Sequence, residues 1–299
     1  MSKPSEHFIL LAASIAAAGF FATAVMVSGS QTQTRQLSTN QEAAVAESDS
    51  INYSAFADLT LEAKAAIVYD PVTGKVIYDL HKNAQLPIAS ITKVMTAIVA
   101  AENSRPDTII SNPDGQWRLA DLIEYTLISS SNEGAKSLAL VGASQASASP
   151  VDSEKNFITL MNKKAEVLAL AQTYFTNVTG LDINKTYGGS YSSAEDIAKL
   201  LTYGLKEHAD LLAVTRQPAV DKITLDTTHH VAINTNELTG QIPGLLAGKT
   251  GFTDVASGNL AIAFDRGLNQ PLIIVVLGSS LNGRFNDMKH LVAASLTAF

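Results

Sequence analysis

The residues best suited to covalent chemistry lie in the segment from Ser90 to Lys93, where a serine hydroxyl precedes a lysine amine by three positions. If a helix opens at Ser90, Lys93 lies one turn further along the same face. A serine hydroxyl is a weak nucleophile until a base takes its proton, and a neutral lysine can do so if burial or a neighbouring cation lowers its pKa. Lys93 is the only lysine in the sequence with a serine three residues before it. An N-capping serine followed by a surface lysine is the alternative interpretation.

Two further segments carry polar groups that suit the binding of a peptide. Lys249, Thr250 and Gly251 lie on a predicted strand, where the two polar side chains would bind a carboxylate and the glycine would let a ligand backbone approach. A strand that ends in a turn with a solvated lysine is the alternative. A Ser-x-Asn triplet, Ser130 to Asn132, lies between two predicted helices, so a loop there can present both side chains to a cleft.

These residues must be positioned by a fold with strands at both ends of the chain and helices between them. Apolar runs and turn residues predict the strands Ala65–Tyr69, Lys75–Asp79, Leu245–Gly251, Gly258–Phe264 and Leu272–Gly278. Helical periodicity predicts helices that begin near Ser90, Leu119, Glu133, Phe157, Ser193 and Arg284. The order favours an α+β fold, in which an antiparallel sheet formed from both chain ends packs against helices and an all-helical region is inserted. A doubly wound parallel sheet does not fit, because strands and helices do not alternate.

Composition excludes several classes of function. The 299 residues contain no Cys, which rules out disulfides, a thiolate metal centre and a cysteine nucleophile. The 21 Lys and Arg residues against 28 Asp and Glu residues give a net charge of −7, which argues against nucleic-acid binding as the main activity. The six His residues form no metal-binding motif, and no cofactor or metal is predicted. A hydrophobic fraction of 46% and a charged fraction of 16% indicate a folded chain.

The N-terminal part predicts export of the rest of the chain. After a short flank of residues 1–7, residues 8–27 contain no charged side chain and would form a helix of roughly 30 Å, enough to cross a bilayer. We interpret this segment as a transmembrane anchor, with a signal peptide cleaved near residue 24 as the alternative. Residues 28–60 are rich in Ser, Thr, Gln, Asn and Ala and are predicted to be a flexible linker. Residues 61–299 are then expected to form one catalytic domain.

In their order along the chain, the motifs at Ser90, Ser130 and Lys249 resemble those of the penicillin-binding and serine β-lactamase superfamily. The surrounding sequence is most similar to the low-molecular-mass D-alanyl-D-alanine carboxypeptidase family, from about Ala65 to the C-terminus. The segments that carry this resemblance are Leu86–Ala97, Asn177–Asp182, Tyr191–Asp196, Asn234–Asn236, Gly248–Asp254 and Arg284–Phe285. The resemblance implies a β-lactamase/transpeptidase-like fold.

The resemblance also implies the chemistry of a serine DD-peptidase acting on peptidoglycan stem peptides. Ser90 would be the acylated nucleophile, Lys93 its general base, and Ser130 the group that passes a proton to the leaving amine. The backbone N–H groups of Ser90 and Phe252 would form the oxyanion hole. β-Lactam antibiotics are the implied covalent inhibitors, and the membrane is the expected partner of the N-terminal segment.

A second set of residues would bind the substrate in such an enzyme. Asn132 would hold the peptide backbone, while Lys249 and Thr250 would bind the terminal carboxylate on the strand that continues through Gly251. Lys249 would also help to keep Lys93 neutral.

The sequence departs from the family in two places. Only 40 positions separate Ser90 from Ser130, fewer than in the family, so one wall of the cleft is expected to differ. The family's common C-terminal β-rich domain is not expected either, because Phe299 soon follows the last predicted helix. A DD-endopeptidase, a serine β-lactamase and a non-catalytic peptidoglycan-binding module of the same fold are the alternative functions.

Overall fold

The computed structural model of the chain describes residues 51–142 and 150–299. The flank 1–7, the apolar segment 8–27 and the predicted linker as far as residue 50 lie outside the described residues. Within the described ranges, no helix is long and apolar enough to cross a bilayer.

The main sheet has five antiparallel strands drawn from both ends of the chain: β1 (Ala65–Tyr69), β2 (Val76–Leu80), β10 (Leu245–Thr253), β11 (Ser257–Asp265) and β12 (Pro271–Ser279). Their order across the sheet is β10-β11-β12-β1-β2. The first and last parts of the chain meet where β1 pairs with β12. The predicted α+β class, with an antiparallel sheet made from both chain ends, is therefore confirmed.

Helices surround this sheet and fill the middle of the chain. In the described part of the chain the α-helices are α1 (Thr92–Asn103), α2 (Leu119–Ser129), α3 (Asn132–Gly142), α4 (Pro150–Val167), α5 (Ala194–Glu207), α6 (Ala209–Ala213) and α7 (Gly283–Ala298). Short 3₁₀ helices cover Tyr53–Phe56, Ala89–Ile91 and Val214–Arg216.

The inserted region was predicted to be all-helical, but the structure does not show this. It also contains the short strands β3 (Leu86–Pro87), β4 (Ile109–Asn112), β5 (Gly115–Arg118), β6 (Tyr174–Phe175), β7 (Ser190–Ser192), β8 (Ala219–Ile223) and β9 (His229–Ile233). The β4–β5 pair is a tight antiparallel hairpin, and β8–β9 is an antiparallel hairpin with a longer loop. Turn residues such as Pro113 and Gly115 permit the first of these, and such short strands carry little apolar alternation to reveal them.

The central strand β12 is buried on both faces, which explains why it is a continuous apolar run rather than an alternating one. Ile273 and Val275 face the core shared with the helical region, whereas Ile274 and Val276 face the core under α7. Helices on both sides thus exclude water from the sheet, and burial of this kind contributes roughly 1.5–3 kcal/mol for each large apolar side chain.

Residues 51–60 pack with the folded unit, although the domain boundary was predicted at residue 61. The Asn52 N–H donates to the Ala298 carbonyl oxygen at 2.9 Å, and the Phe56 side chain is buried in the core under α7. Residues 51–60, which the polar composition had assigned to the linker, therefore pack against the last helix. Ile51, Ala55 and Leu59 pack against the same core beside Phe56.

Candidate active site

Ser90 lies in the 3₁₀ turn Ala89–Ile91, immediately before α1 rather than at the predicted helix start. The α1 N-cap is Ile91, which makes no side-chain capping bond, so the Ser90 hydroxyl is not spent as a cap. Ala89 has a φ of 47°, a left-handed conformation that costs a non-glycine residue about 1–3 kcal/mol. The Lys93 side chain is fully buried. Both parts of the alternative interpretation, a capping serine and a surface lysine, are therefore wrong.

The Lys93 amine sits at the centre of the site. Its Nζ lies 2.8 Å from the Ser90 Oγ, 2.8 Å from the Asn132 Oδ1 and 2.8 Å from the Thr179 carbonyl oxygen. Burial lowers the pKa of Lys93 to about 7, because an ammonium ion loses its hydration there. Near neutral pH a large fraction of the amine is therefore unprotonated and able to accept the Ser90 proton.

Ser130 lies in the short connection between α2 and α3, as predicted, whereas Asn132 is the first residue of α3. Ser130 has a φ of 59° and a ψ of 34°, the left-handed conformation that ends α2. Its Oγ accepts a hydrogen bond from the Lys249 Nζ at 2.9 Å. The two predicted side chains thus contact different lysines, with Ser130 on Lys249 and Asn132 on Lys93. The strained turn at Ser130 makes this double contact possible.

Lys249 is buried on β10, with 2% of its surface exposed, so the alternative of a solvated strand lysine is wrong. Its Nζ also donates to the Thr250 carbonyl oxygen at 3.0 Å. Burial first, and then the positive charges of Lys93 and Arg284, hold the pKa of Lys249 well below its ordinary value. The Thr250 hydroxyl lies 2.6 Å from the Thr235 hydroxyl, in the segment that precedes β10. These groups form one polar edge beside Ser90.

Gly251 has a structural role in addition to the predicted one of admitting a ligand backbone. A Cβ at Gly251 would lie 2.6 Å from the Ile88 carbonyl oxygen and 3.2 Å from the Ser90 backbone nitrogen. The missing side chain therefore lets β10 approach the turn that carries Ser90, in addition to any room it leaves for a ligand. Phe252 follows on the same strand with a half-exposed side chain. The Ser90 backbone nitrogen thus lies next to Gly251, the residue that precedes Phe252.

Three contributors to the site were not assigned roles from the sequence. The Thr179 carbonyl accepts from Lys93, and its turn is held by Asn177, whose Oδ1 accepts from the Gly180 N–H at 2.7 Å. Thr235 pairs with Thr250, and Arg284 donates to the Gly251 carbonyl oxygen at 2.9 Å. All three lie in segments that resemble the family, and this resemblance is the signal from which their roles could have been predicted.

No cluster of three or more metal-binding side chains is present in residues 51–142 and 150–299. The reactive groups that the described residues bring together are a hydroxyl nucleophile, an amine base and a second amine. Such a set is suited to acyl transfer through a covalent ester on Ser90.

Comparison with known proteins places the chain in a family. The family model described as D-alanyl-D-alanine carboxypeptidase, peptidase family S11, matches residues 51–109 and 101–280. The chain therefore belongs to the S11 family of D-alanyl-D-alanine carboxypeptidases.

Individual relatives agree with this assignment. The chain is 30% identical over 246 residues to the D-alanyl-D-alanine carboxypeptidase DacF of Bacillus subtilis, covering 75% of this chain and 59% of that protein. It is also 30% identical over 255 residues to a D-alanyl-D-alanine endopeptidase of Escherichia coli, covering 77% of this chain and 74% of that protein. The chain thus spans under two thirds of the length of the DacF relative.

A solved structure gives the same fold. Penicillin-binding protein D2 of Listeria monocytogenes, crystallised with cefotaxime bound, superposes with a TM-score of 0.67 at 27% identity, over 80% of this chain and 98% of that one. The predicted penicillin-binding/transpeptidase fold is confirmed.

Proposed function

We propose that this protein is a serine DD-peptidase that cleaves the terminal D-Ala-D-Ala bond of peptidoglycan stem peptides. One observation carries the proposal: the Ser90 Oγ lies 2.8 Å from the amine of Lys93, whose pKa burial lowers to about 7. That pair is a nucleophile with its base in hydrogen-bond contact and in a usable protonation state. The names of the carboxypeptidase and endopeptidase relatives support the same reaction class.

Acylation would begin when Lys93 takes the Ser90 proton and the Ser90 Oγ attacks the carbonyl carbon of the penultimate D-alanine. The negative charge that develops on the carbonyl oxygen would be stabilised by the backbone N–H groups of Ser90 and Phe252. Ser130 would pass a proton to the nitrogen of the last D-alanine, which leaves as the free amino acid. Water would then hydrolyse the ester on Ser90 and restore the hydroxyl.

Lys249 and Thr250 would receive the terminal carboxylate, while Asn132 would hold the peptide backbone. The pKa of Lys249 is held low by burial and by neighbouring positive charge. An arriving carboxylate supplies the opposite charge, which raises the proton affinity of Lys249 and favours a charged hydrogen bond. A positive charge on Lys93 disfavours protonation of Lys249. Carboxylate binding at Lys249 and the neutral form of Lys93 would therefore favour each other.

β-Lactams would acylate Ser90 by the same route and inhibit the enzyme. A DD-endopeptidase that trims cross-links remains the second candidate, and the name of the Escherichia coli relative favours keeping it. A serine β-lactamase and a non-catalytic binding module are less well supported. The intact set of Ser90, Lys93, Ser130 and Lys249 argues for catalysis.

We also propose that residues 8–27 anchor the domain to a membrane, that residues 28–50 act as the spacer, and that the peptidase works outside the cytoplasm. The apolar character of residues 8–27 supports this arrangement. N-terminal sequencing of the mature protein, with fractionation of expressing cells, tests it. A mature chain that begins near residue 25 in the soluble fraction would replace the anchor with a cleaved signal.

The proposed reaction is tested by incubating the protein with a short peptide that ends in D-Ala-D-Ala and measuring free D-alanine. Purified cross-linked muropeptides and a chromogenic cephalosporin serve as parallel substrates. We expect D-alanine release that Ser90→Ala abolishes, with slow cephalosporin turnover. Cleavage of cross-links alone would favour the endopeptidase, and rapid cephalosporin hydrolysis without D-alanine release would favour the β-lactamase.

A further inference from the structure

Arg284 is a buried cation that no carboxylate of the described residues contacts, although the negative charge of Glu237 acts on it from a longer distance. Its side chain is 7% exposed, and none of the ion pairs found in residues 51–142 and 150–299 includes it. Its Nε is buried without a hydrogen-bond partner. Its Nη1 donates to the carbonyl oxygen of Gly251 at 2.9 Å. A buried guanidinium in contact with no carboxylate is expensive, so a sequence that keeps one here points to a role beyond stability.

The acceptor of this hydrogen bond, the Gly251 carbonyl oxygen, shares a peptide group with the Phe252 N–H. The Gly251 carbonyl and the Phe252 N–H belong to one planar peptide group, in which the two bonds point in opposite directions. A hydrogen bond that fixes the carbonyl oxygen therefore also fixes the direction of the Phe252 N–H. Gly251 needs such a restraint because it has no side chain, which leaves its backbone unusually free.

This peptide group lies beside the turn that carries Ser90. Gly251 lies so close to the Ser90 turn that a Cβ on it would be 3.2 Å from the Ser90 backbone nitrogen. The peptide group that contains the Phe252 N–H is therefore near the Ser90 N–H, the other donor of the proposed oxyanion hole. A cationic donor on the carbonyl also polarises the peptide group, which strengthens the N–H as a donor to a developing negative charge.

We propose that Arg284 is a positioning residue for the oxyanion hole, which aims and polarises the Phe252 N–H through its hydrogen bond to the Gly251 carbonyl. This inference rests on the proposed function of the same site. Direct binding of the substrate carboxylate by the guanidinium is the competing role, since Arg284 lies close to the strand that carries Lys249 and Thr250.

The test compares Arg284→Gln and Arg284→Lys with the wild type on two peptides, one ending in D-Ala-D-Ala and the other in D-Ala-D-alaninamide. The amide peptide keeps the scissile bond but lacks the carboxylate. Because an oxyanion acts in the transition state of both, we expect Arg284→Gln to lower kcat about tenfold to a hundredfold on both peptides, with little change in KM. Arg284→Lys can still donate to the Gly251 carbonyl and should recover part of the loss on both.

Several results would overturn this role. A loss confined to the carboxylate peptide, or a rise in KM alone, would make Arg284 a substrate-binding group. Unchanged kcat in both variants would leave Arg284 without influence on the oxyanion hole. Circular dichroism identifies a variant that does not fold, in which case Arg284→Lys carries the comparison. The proposed function fails separately, if the wild type and Ser90→Ala are equally inactive on peptides and penicillin.

Discussion

The Lys93 amine and the Ser90 hydroxyl are held 2.8 Å apart by a helix turn whose lysine has no exposed surface. The Lys93 Nζ is fixed from two further directions by the Asn132 amide oxygen and the Thr179 carbonyl. A lysine with four rotatable bonds is thereby restricted to one position. The burial that fixes the amine also lowers its pKa to about 7, so geometry and base strength have one cause.

The rate of acylation should depend on pH through Lys93. Below pH 7 the amine is mostly protonated and cannot take the Ser90 proton, so the rate constant for penicillin acylation should rise about tenfold from pH 6 to pH 8. Stopped-flow measurement with a fluorescent penicillin checks this. Lys93→Met should acylate at least a hundredfold more slowly, whereas Lys289→Met, which removes an exposed lysine on α7, should behave as the wild type. A flat profile between pH 6 and pH 8 would contradict Lys93 as the base.

The free energy of unfolding should also depend on pH through the Lys93 amine. The pKa of Lys93 is about 7 when folded and near its ordinary value when unfolded, so between these values the unfolded chain binds more protons. The destabilisation that results from the lowered pKa of Lys93 is complete below pH 7 and decreases as the pH rises. The free energy of unfolding of the wild type, relative to Lys93→Met, should therefore increase by about 1.4 kcal/mol per pH unit above pH 7. Urea unfolding of both proteins at pH 7, 8 and 9 measures it, and a constant difference would refute the lowered pKa.

The neighbouring serines Ser130 and Ser131 should respond differently to the same substitution. The Ser130 Oγ accepts from Lys249, whereas the Ser131 Oγ accepts from the Gly134 N–H and caps α3. Ser130→Ala should slow acylation about a hundredfold or more through the lost proton transfer. Ser131→Ala should cost about 1 kcal/mol of stability and leave the acylation rate of the folded protein intact. Penicillin acylation rates and thermal unfolding of the two variants separate these roles, and equal rates would refute the assignment of Ser130.

Gly251→Ala tests the close approach of β10 to the Ser90 turn. The new methyl group would lie 2.6 Å from the Ile88 carbonyl oxygen, which forces either the strand or the turn to move. Overpacking of this kind costs about 1–3 kcal/mol, and the displaced turn should lower the acylation rate at least tenfold. Gly240→Ala is the control: its Cβ has open space around it, so only the strain of its φ of 78° should affect stability. Normal acylation by Gly251→Ala would show that the contact does not position Ser90.

Much of this arrangement could be predicted from the sequence because its signals are local. The apolar run of β12 predicted that strand to within one residue at each end, and the periodicity of α2 predicted the start of that helix at Leu119. The spacing of Ser90 and Lys93 predicted a pair on one helical face, and the structure brings their side chains into contact. The sites of Ser130 and Lys249 followed from family resemblance rather than from spacing alone.

The remainder depends on contacts that no local pattern encodes. The Thr179 carbonyl and the Gly251 carbonyl are backbone atoms, which every residue possesses, so their roles leave no mark on residue type. The packing of Phe56 under α7 joins two segments that are far apart along the chain, which no local pattern indicates. Glycine at 251 is explained by the close contact between β10 and the Ser90 turn, which lies 161 positions earlier in the chain.

The central claim, that Ser90 is an acylated nucleophile, is tested most directly by intact-mass spectrometry after exposure to benzylpenicillin. The wild type should gain the mass of one penicillin, and peptide mapping should place it on Ser90. Ser90→Ala should gain none under the same conditions. A wild type that gains no mass, or a Ser90→Ala variant that still forms the adduct, would contradict the account.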